Sequence, residues 1–196
     1  METIDIGIPC APNTEKYIKF LIESIIKTKS NHYIINFLIG INSDNVDINY
    51  LQNLKNIYED IKIIKNNCNV YKSGSSSNHG ESINFIINNF SGKFGMIIDA
   101  DVAFLSKNWD LTLTSFINNE VIIIGSEYGL DDFKYMGNPN IITCLFDTKI
   151  IKSLDINFLP KFRNNIKKFK VDNNTQDIYK RKVGEQIILD TGFEIP

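Results

Sequence analysis

The residues best equipped for chemistry lie in Gly95-Met-Ile-Ile-Asp-Ala-Asp-Val102, where an apolar run ends in two carboxylates one residue apart, Asp99 and Asp101. Residues two apart on a strand face the same way, so these side chains are expected to share a ligand if extension persists past Ile98. Carboxylates held that close repel each other unless a cation or a proton lies between them. Oxygen donors suit Mg2+ or Mn2+, which commonly take one or two protein carboxylates and complete their shell with substrate phosphates. The competing reading is a turn in which an Asp caps the following helix.

Three further groups join this pair. Ser75 to Ser77 and Asn78 read as the end of a small, polar loop running from Asn66, with a helix opening at His79. Such a loop offers hydroxyls and backbone N–H groups to a diphosphate at a helix N-terminus. His79 either donates a hydrogen bond to a phosphate or faces solvent. Pro9, Cys10, Ala11 and Asn13 follow one apolar run, and Asn42 to Asp44 follow another. Trp109 reads as core packing.

The scaffold that must position these groups is an alternation. Ile4–Cys10, Ile34–Ile41, Ile61–Ile64, Lys93–Ile98, Val121–Gly125 and Ile141–Phe146 are apolar runs of strand length. Between them, helical spacing of apolar residues predicts a helix starting after Asn13 or Thr14, and others over Tyr50–Tyr58, His79–Phe90, Trp109–Phe116 and Thr148–Leu154. Asp177–Lys182 could add a further helical turn. Continuous apolar strands alternating with helices imply an α/β fold with a largely parallel central sheet flanked by helices. In such sheets ligands bind beyond the carboxyl ends of the strands. The clusters Cys10–Asn13, Asn42–Asp44 and Asp99–Asp101 are therefore expected to converge on one cleft.

Bulk properties narrow the classes. The chain has 196 residues, 43% hydrophobic and 22% charged, with a formal net charge of −2. That is enough chain for one domain with a sizeable core, and it gives no electrostatic reason to expect nucleic acid as a partner. Three separated cysteines, Cys10, Cys68 and Cys144, fit free thiols in a reducing compartment better than disulfides or a zinc site. The N-terminus does not read as a signal peptide, and no apolar stretch approaches the roughly 18 residues a membrane span requires. The expectation is a soluble, cytoplasmic protein, either a single domain over 1–196 or a piece of a longer chain.

With these residues in place, the sequence resembles the GT-A-fold glycosyltransferases, especially family-2-like inverting enzymes, over most of the chain to about Leu154. Ile6-Gly-Ile-Pro9 followed by Asn13 looks like the opening strand and the turn that holds the nucleotide base, with one residue more than the usual Pro-x-x-Asn. Asn42 stands where the family commonly has a uracil-binding Asp, and Ser77 where many relatives have Arg. Asn78-His79-Gly80 matches relatives with His-Gly before the helix that precedes the metal strand. Asp99-Ala100-Asp101 looks like the family's metal motif. The resemblance implies a sugar moved from a nucleotide-diphosphate donor, a UDP-sugar first, to a saccharide, protein or lipid hydroxyl with inversion. It also implies a carboxylate base in a late segment. Asp190, in Asp190-Thr191-Gly192, ranks before Asp172 and Asp177 for that role, and Asp131 and Asp132 are weaker acceptor-side candidates.

Two other readings stay open: a non-catalytic binding module of the same fold, and a nucleotidyltransferase, although no Gly-rich basic loop follows the first strand. A Rossmann dinucleotide site is excluded, because Pro9-Cys-Ala-Pro12 stands where GxGxxG would be needed.

Overall fold

Alternation of side chains along the strands decides which helices cover which side of the sheet. The structure is a computed structural model describing residues 1–41, 43–66, 75–126, 140–159, 161–163 and 187–189, with backbone alone at 75–77, 140–142, 161–163 and 187–189. Its order is β1 (Glu2–Cys10), α1 (Glu15–Thr28), β2 (Tyr33–Ile41), α2 (Ile48–Ile57), β3 (Ile61–Lys65), α3 (Ser75–Asn88), β4 (Phe94–Ile98), α4 (Trp109–Thr114), β5 (Ile123–Ser126), β6 (Asn140–Asp147), α5 (Thr148–Ser153), β7 (Lys161–Arg163) and β8 (Ile187–Leu189). A six-stranded sheet runs β3-β2-β1-β4-β6-β5. Its first four strands are parallel, while β6 is antiparallel to both β4 and β5. The pair β7-β8, antiparallel and separate, was not expected from the sequence.

Ile4, Ile6, Ile8 and Cys10 of β1, Phe37, Ile39 and Ile41 of β2, and Phe94, Met96 and Ile98 of β4 face one core with Ile18, Leu21, Ile22 and Ile25 of α1, Leu51 and Leu54 of α2, and Trp109 of α4. The intervening residues Leu38, Ile97, Cys144 and Phe146 face a second core with Ile83, Ile86 and Ile87 of α3 and Ile151 of α5. Helix α3 sits low on this second face because the strands beneath it present glycines. A Cβ at Gly40 would come within 2.6 Å of the Ile86 side chain, and one at Gly7 would overlap it. Trp109 is 4% exposed and packs on Phe104 with ring centroids 4.5 Å apart, which confirms core packing.

Two buried carboxylates tie elements together. Asp5, 1% exposed, accepts hydrogen bonds from Asn36 Nδ2 at 2.8 Å, Gly92 N at 2.7 Å and Ser91 N, joining β1 and β2 to the turn that enters β4. Asp110 accepts from Ser30 N at 2.8 Å and Ser30 Oγ at 2.6 Å, joining α4 to the end of α1. Neither aspartate stood out in the sequence, because an acidic residue in an apolar run gives no sign of its partners. No helix among the described residues is long and apolar enough to cross a membrane.

Three local expectations change. Helix α3 begins at Ser75, so Ser75 to Asn78 are helical and do not belong to the loop. Small polar residues are tolerated there because the first-turn N–H groups lack intrahelical partners anyway. Strand extension does not persist through Asp101: Val102 N bonds back to Asp99 O at 3.4 Å, which turns the chain at Asp99-Ala100-Asp101. The antiparallel β6 was illegible because a continuous apolar run encodes burial and not direction.

Candidate functional site

The carboxyl ends of β1, β2 and β4 meet at one place because the strands are parallel and in close register. Cys10 pairs with Ile41, and Gly7 with Ile97. Beyond these ends opens a cleft of about 560 Å3. Its walls come from Pro9, Cys10, Ala11, Pro12 and Thr14 after β1, Ser43 and Asn45 after β2, Asn78, His79 and Ser82 on α3, and Asp99, Ala100 and Asp101 after β4. The three polar clusters thus converge as the alternation predicts.

The wall after β1 is shaped by Thr14. Its hydroxyl donates to Ala11 O at 2.8 Å and accepts from Ala11 N at 3.0 Å, closing a tight ring ahead of α1. Asn13 takes the left-handed conformation with φ 68, which Asn tolerates better than most residues. It is exposed and does not line the cleft; Pro12, within the expected Cys10–Asn13 cluster, does, and so does Thr14, which the sequence offered only as a helix start. The Cys10 thiol is 1% exposed, and burial pushes it up to about 12, partly offset by a hydrogen bond from Thr14 and reinforced by the charge of Glu15. Cys10 is therefore a neutral, apolar part of this wall.

The wall from α3 presents Asn78, His79 and Ser82 on one face, at i, i+1 and i+4. Ser82 was missed in the sequence; its hydroxyl donates to Gly40 O at 3.4 Å, which ties the helix face to β2. Gly80 points elsewhere. A Cβ there would stand 2.5 Å from Phe158 O, so the glycine permits close packing and does not line the cleft.

Across the cleft stand the two carboxylates. Asp99 is 30% exposed at its side chain, and Asp101 is exposed. His79 Nε2 lies 3.2 Å from Asp99 Oδ1 without hydrogen-bond alignment, and it makes no hydrogen bond among the described residues. Among the described residues no group of three or more His, Cys, Asp or Glu gathers around a cation position. The donor set nevertheless fits a hard divalent ion of the kind that borrows most of its shell from substrate phosphate and water. Asp99 and Asp101 would hold such an ion, with the His79 imidazole beside Asp99. Asn42, Asp131, Asp132, Asp172, Asp177 and Asp190 lie outside the described residues.

No protein-family model matches the sequence, and no curated protein sequence matches it. Solved structures do. The mannosyltransferase PcManGT from Pyrobaculum calidifontis, in complex with GDP-Man and Mn2+, superposes with a TM-score of 0.57 at 12% identity, over 78% of this chain and 46% of its own. TarS 1-349 of S. aureus gives a TM-score of 0.54 at 20% identity, over 80% of this chain and 50% of that one. The bifunctional glycosyltransferase WbbM gives 0.54 at 14%, over 78% and 33%. The chain has the GT-A glycosyltransferase fold.

This chain spans half or less of the length of those neighbours. In the GT-A frame, the cleft occupies the carboxyl-end position where open α/β sheets bind ligands.

Proposed function

We propose that the protein is a metal-dependent glycosyltransferase that moves a sugar from a nucleotide-diphosphate donor, a UDP-sugar first, to an acceptor hydroxyl with inversion. The observation that carries this reading is the meeting of Asp99, Asp101 and His79 Nε2 across one cleft at the strand ends of a GT-A fold. Solved neighbours with nucleotide sugars lend support: one holds GDP-Man and Mn2+, and TarS holds UDP or UDP-GlcNAc.

In this reading base and ribose lie along Pro9 to Thr14 and the end of β2, where Ser43, Asn45 and, from the resemblance, Asn42 supply polar groups. The diphosphate lies between α3 and the Asp99-Ala100-Asp101 turn, with His79 and Asn78 donating to its oxygens. A bound Mn2+ or Mg2+ would offset the charge that develops on the leaving diphosphate. Asp99 and Asp101 fix its place. The buried, neutral Cys10 and the prolines keep the base end of the cleft apolar. Deprotonation of the acceptor hydroxyl is assigned to Asp190 on the family resemblance alone. We further propose that one domain spans 1–196.

The test is donor hydrolysis and transfer with a panel of UDP-, GDP- and TDP-sugars in Mn2+. Asp101→Ala changes an exposed side chain, so the fold should stand while turnover falls about a hundredfold or more. Full activity of that variant in excess EDTA would remove the metal role. Absence of hydrolysis and of any donor-induced thermal shift across the panel would favour a non-catalytic module.

A further inference from the structure

The outward side of α1 carries apolar surface that neither core uses. Phe20 is 68% exposed and Tyr17 42%. Lys16, Phe20, Glu23 and Lys27 recur at i, i+4, i+7 and i+11, so they share one stripe of the helix. The loop following Asp101 runs alongside: Phe104 N donates to Ser24 Oγ at 3.0 Å, Asn108 N to Thr28 O at 2.7 Å and Lys107 Nζ to Lys27 O at 2.7 Å. Leu105, 90% exposed, follows Phe104, whose N–H is bonded to Ser24 one helical turn from Phe20. Around these apolar tips stand the amines of Lys16, Lys19, Lys27 and Lys107. Glu23 is the acid among them, its carboxylate 3.9 Å from Lys19 and 3.8 Å from Lys27. The face is positive on a chain whose formal net charge is −2.

We propose that this face of α1, with the 102–108 loop, docks on an anionic lipid bilayer. Phe20 and Leu105 enter the headgroup boundary while the lysines meet lipid phosphates. Apolar tips raised among amines are the pattern that interfacial helices use, and each lysine near an anionic leaflet adds attraction. Charge argues against a second copy as the occupant: a two-fold contact through this face would set lysines against lysines. The inference does not rest on the transferase reading. It does orient the cleft, because α1 starts directly after the Pro9–Thr14 wall and the loop directly follows Asp101.

Cosedimentation of the full chain with vesicles tests it, using phosphatidylcholine alone and phosphatidylcholine with phosphatidylglycerol at roughly two to one. The protein should pellet with the mixed vesicles, stay in solution with the neutral ones, and be released by high salt. The double variant Phe20→Ser with Leu105→Ser changes only exposed side chains and should lose at least about tenfold in partitioning. Lys16→Glu with Lys27→Glu should lose as much by charge alone. No pelleting with anionic vesicles, or undiminished binding by both variants, would overturn the proposal. So would a wild-type dimer in sedimentation equilibrium that Phe20→Ser with Leu105→Ser makes monomeric.

Discussion

His79 and Asp99 approach from opposite walls of the cleft to 3.2 Å without forming a hydrogen bond, and it is this contact that the proposed donor would complete. A buried nitrogen without a hydrogen bond costs free energy, and in the proposed function a donor phosphate would supply one. Asp5 is the opposite case: every contact is made. Its carboxylate takes two backbone N–H groups from Ser91 and Gly92 and one side-chain donor from Asn36. Asp5→Ala strands the buried Gly92 N–H and loosens the half-buried Asn36 and Ser91 contacts, and should cost about 1–3 kcal/mol, read as a lower denaturant midpoint at unchanged m value. Because Asp5 anchors the turn before β4, the same variant should also weaken donor binding at Asp99. The acid pair was legible from its spacing and its place at a strand end. Asp5 was not, since its partners lie 31 to 87 residues away in sequence. The positions of Thr14 and Ser82 in the cleft walls were hidden for a different reason: each is set by a local turn or a helix start that composition alone does not locate.

At the scale of elements, α3 holds the position of the site. Its Asn78-His79-Ser82 face reaches the cleft because Ile86, one turn further on, sinks onto Gly7 and Gly40. Gly40→Ala would place a methyl 2.6 Å from Ile86 and 3.1 Å from Ser82 Oγ, so the helix must rise or Ile86 must leave its rotamer. The expected cost is about 1–3 kcal/mol of stability, seen in thermal melts. Donor affinity should fall more than that of a variant at the distant exposed Ile57. The six strands of the main sheet and their order of appearance were readable from apolar runs, and so was the convergence of polar clusters at the carboxyl ends. The direction of β6 and the first turn of α3 were not, while the turn at Asp99 was weighed only as the competing reading. The turn changes the reason for the pairing of Asp99 and Asp101: both reach the cleft through a bend after β4 and not through strand alternation.

At the scale of the whole molecule, four perturbed groups among the described residues act on stability with one sign. Burial pushes the thiols of Cys10 and Cys144 up to about 12 from an ordinary value of 9.0, and both side chains are almost fully enclosed. Tyr58 is raised from 10.0, first by desolvation and then by the charge of Glu23, and Lys93 is raised from 10.5 by its hydrogen bond to Glu2. In each case the folded chain keeps a proton that the unfolded chain has given up. Between the ordinary and the raised value the unfolded state binds fewer protons, so stability falls as pH rises. The contribution is whole below about pH 9 and is lost from there towards 12, with each buried thiol adding a slope of about 1.4 kcal/mol per pH unit. Tyr58 and Lys93 are too exposed to add much. Denaturant melts of the wild type at intervals from pH 8 to 11 should show a flat region and then a steep decline. Cys10→Ala with Cys144→Ala should start less stable, because it opens space in both cores, yet decline less steeply above pH 9. Parallel curves for the two proteins would mean that the thiols do not drive the alkaline loss.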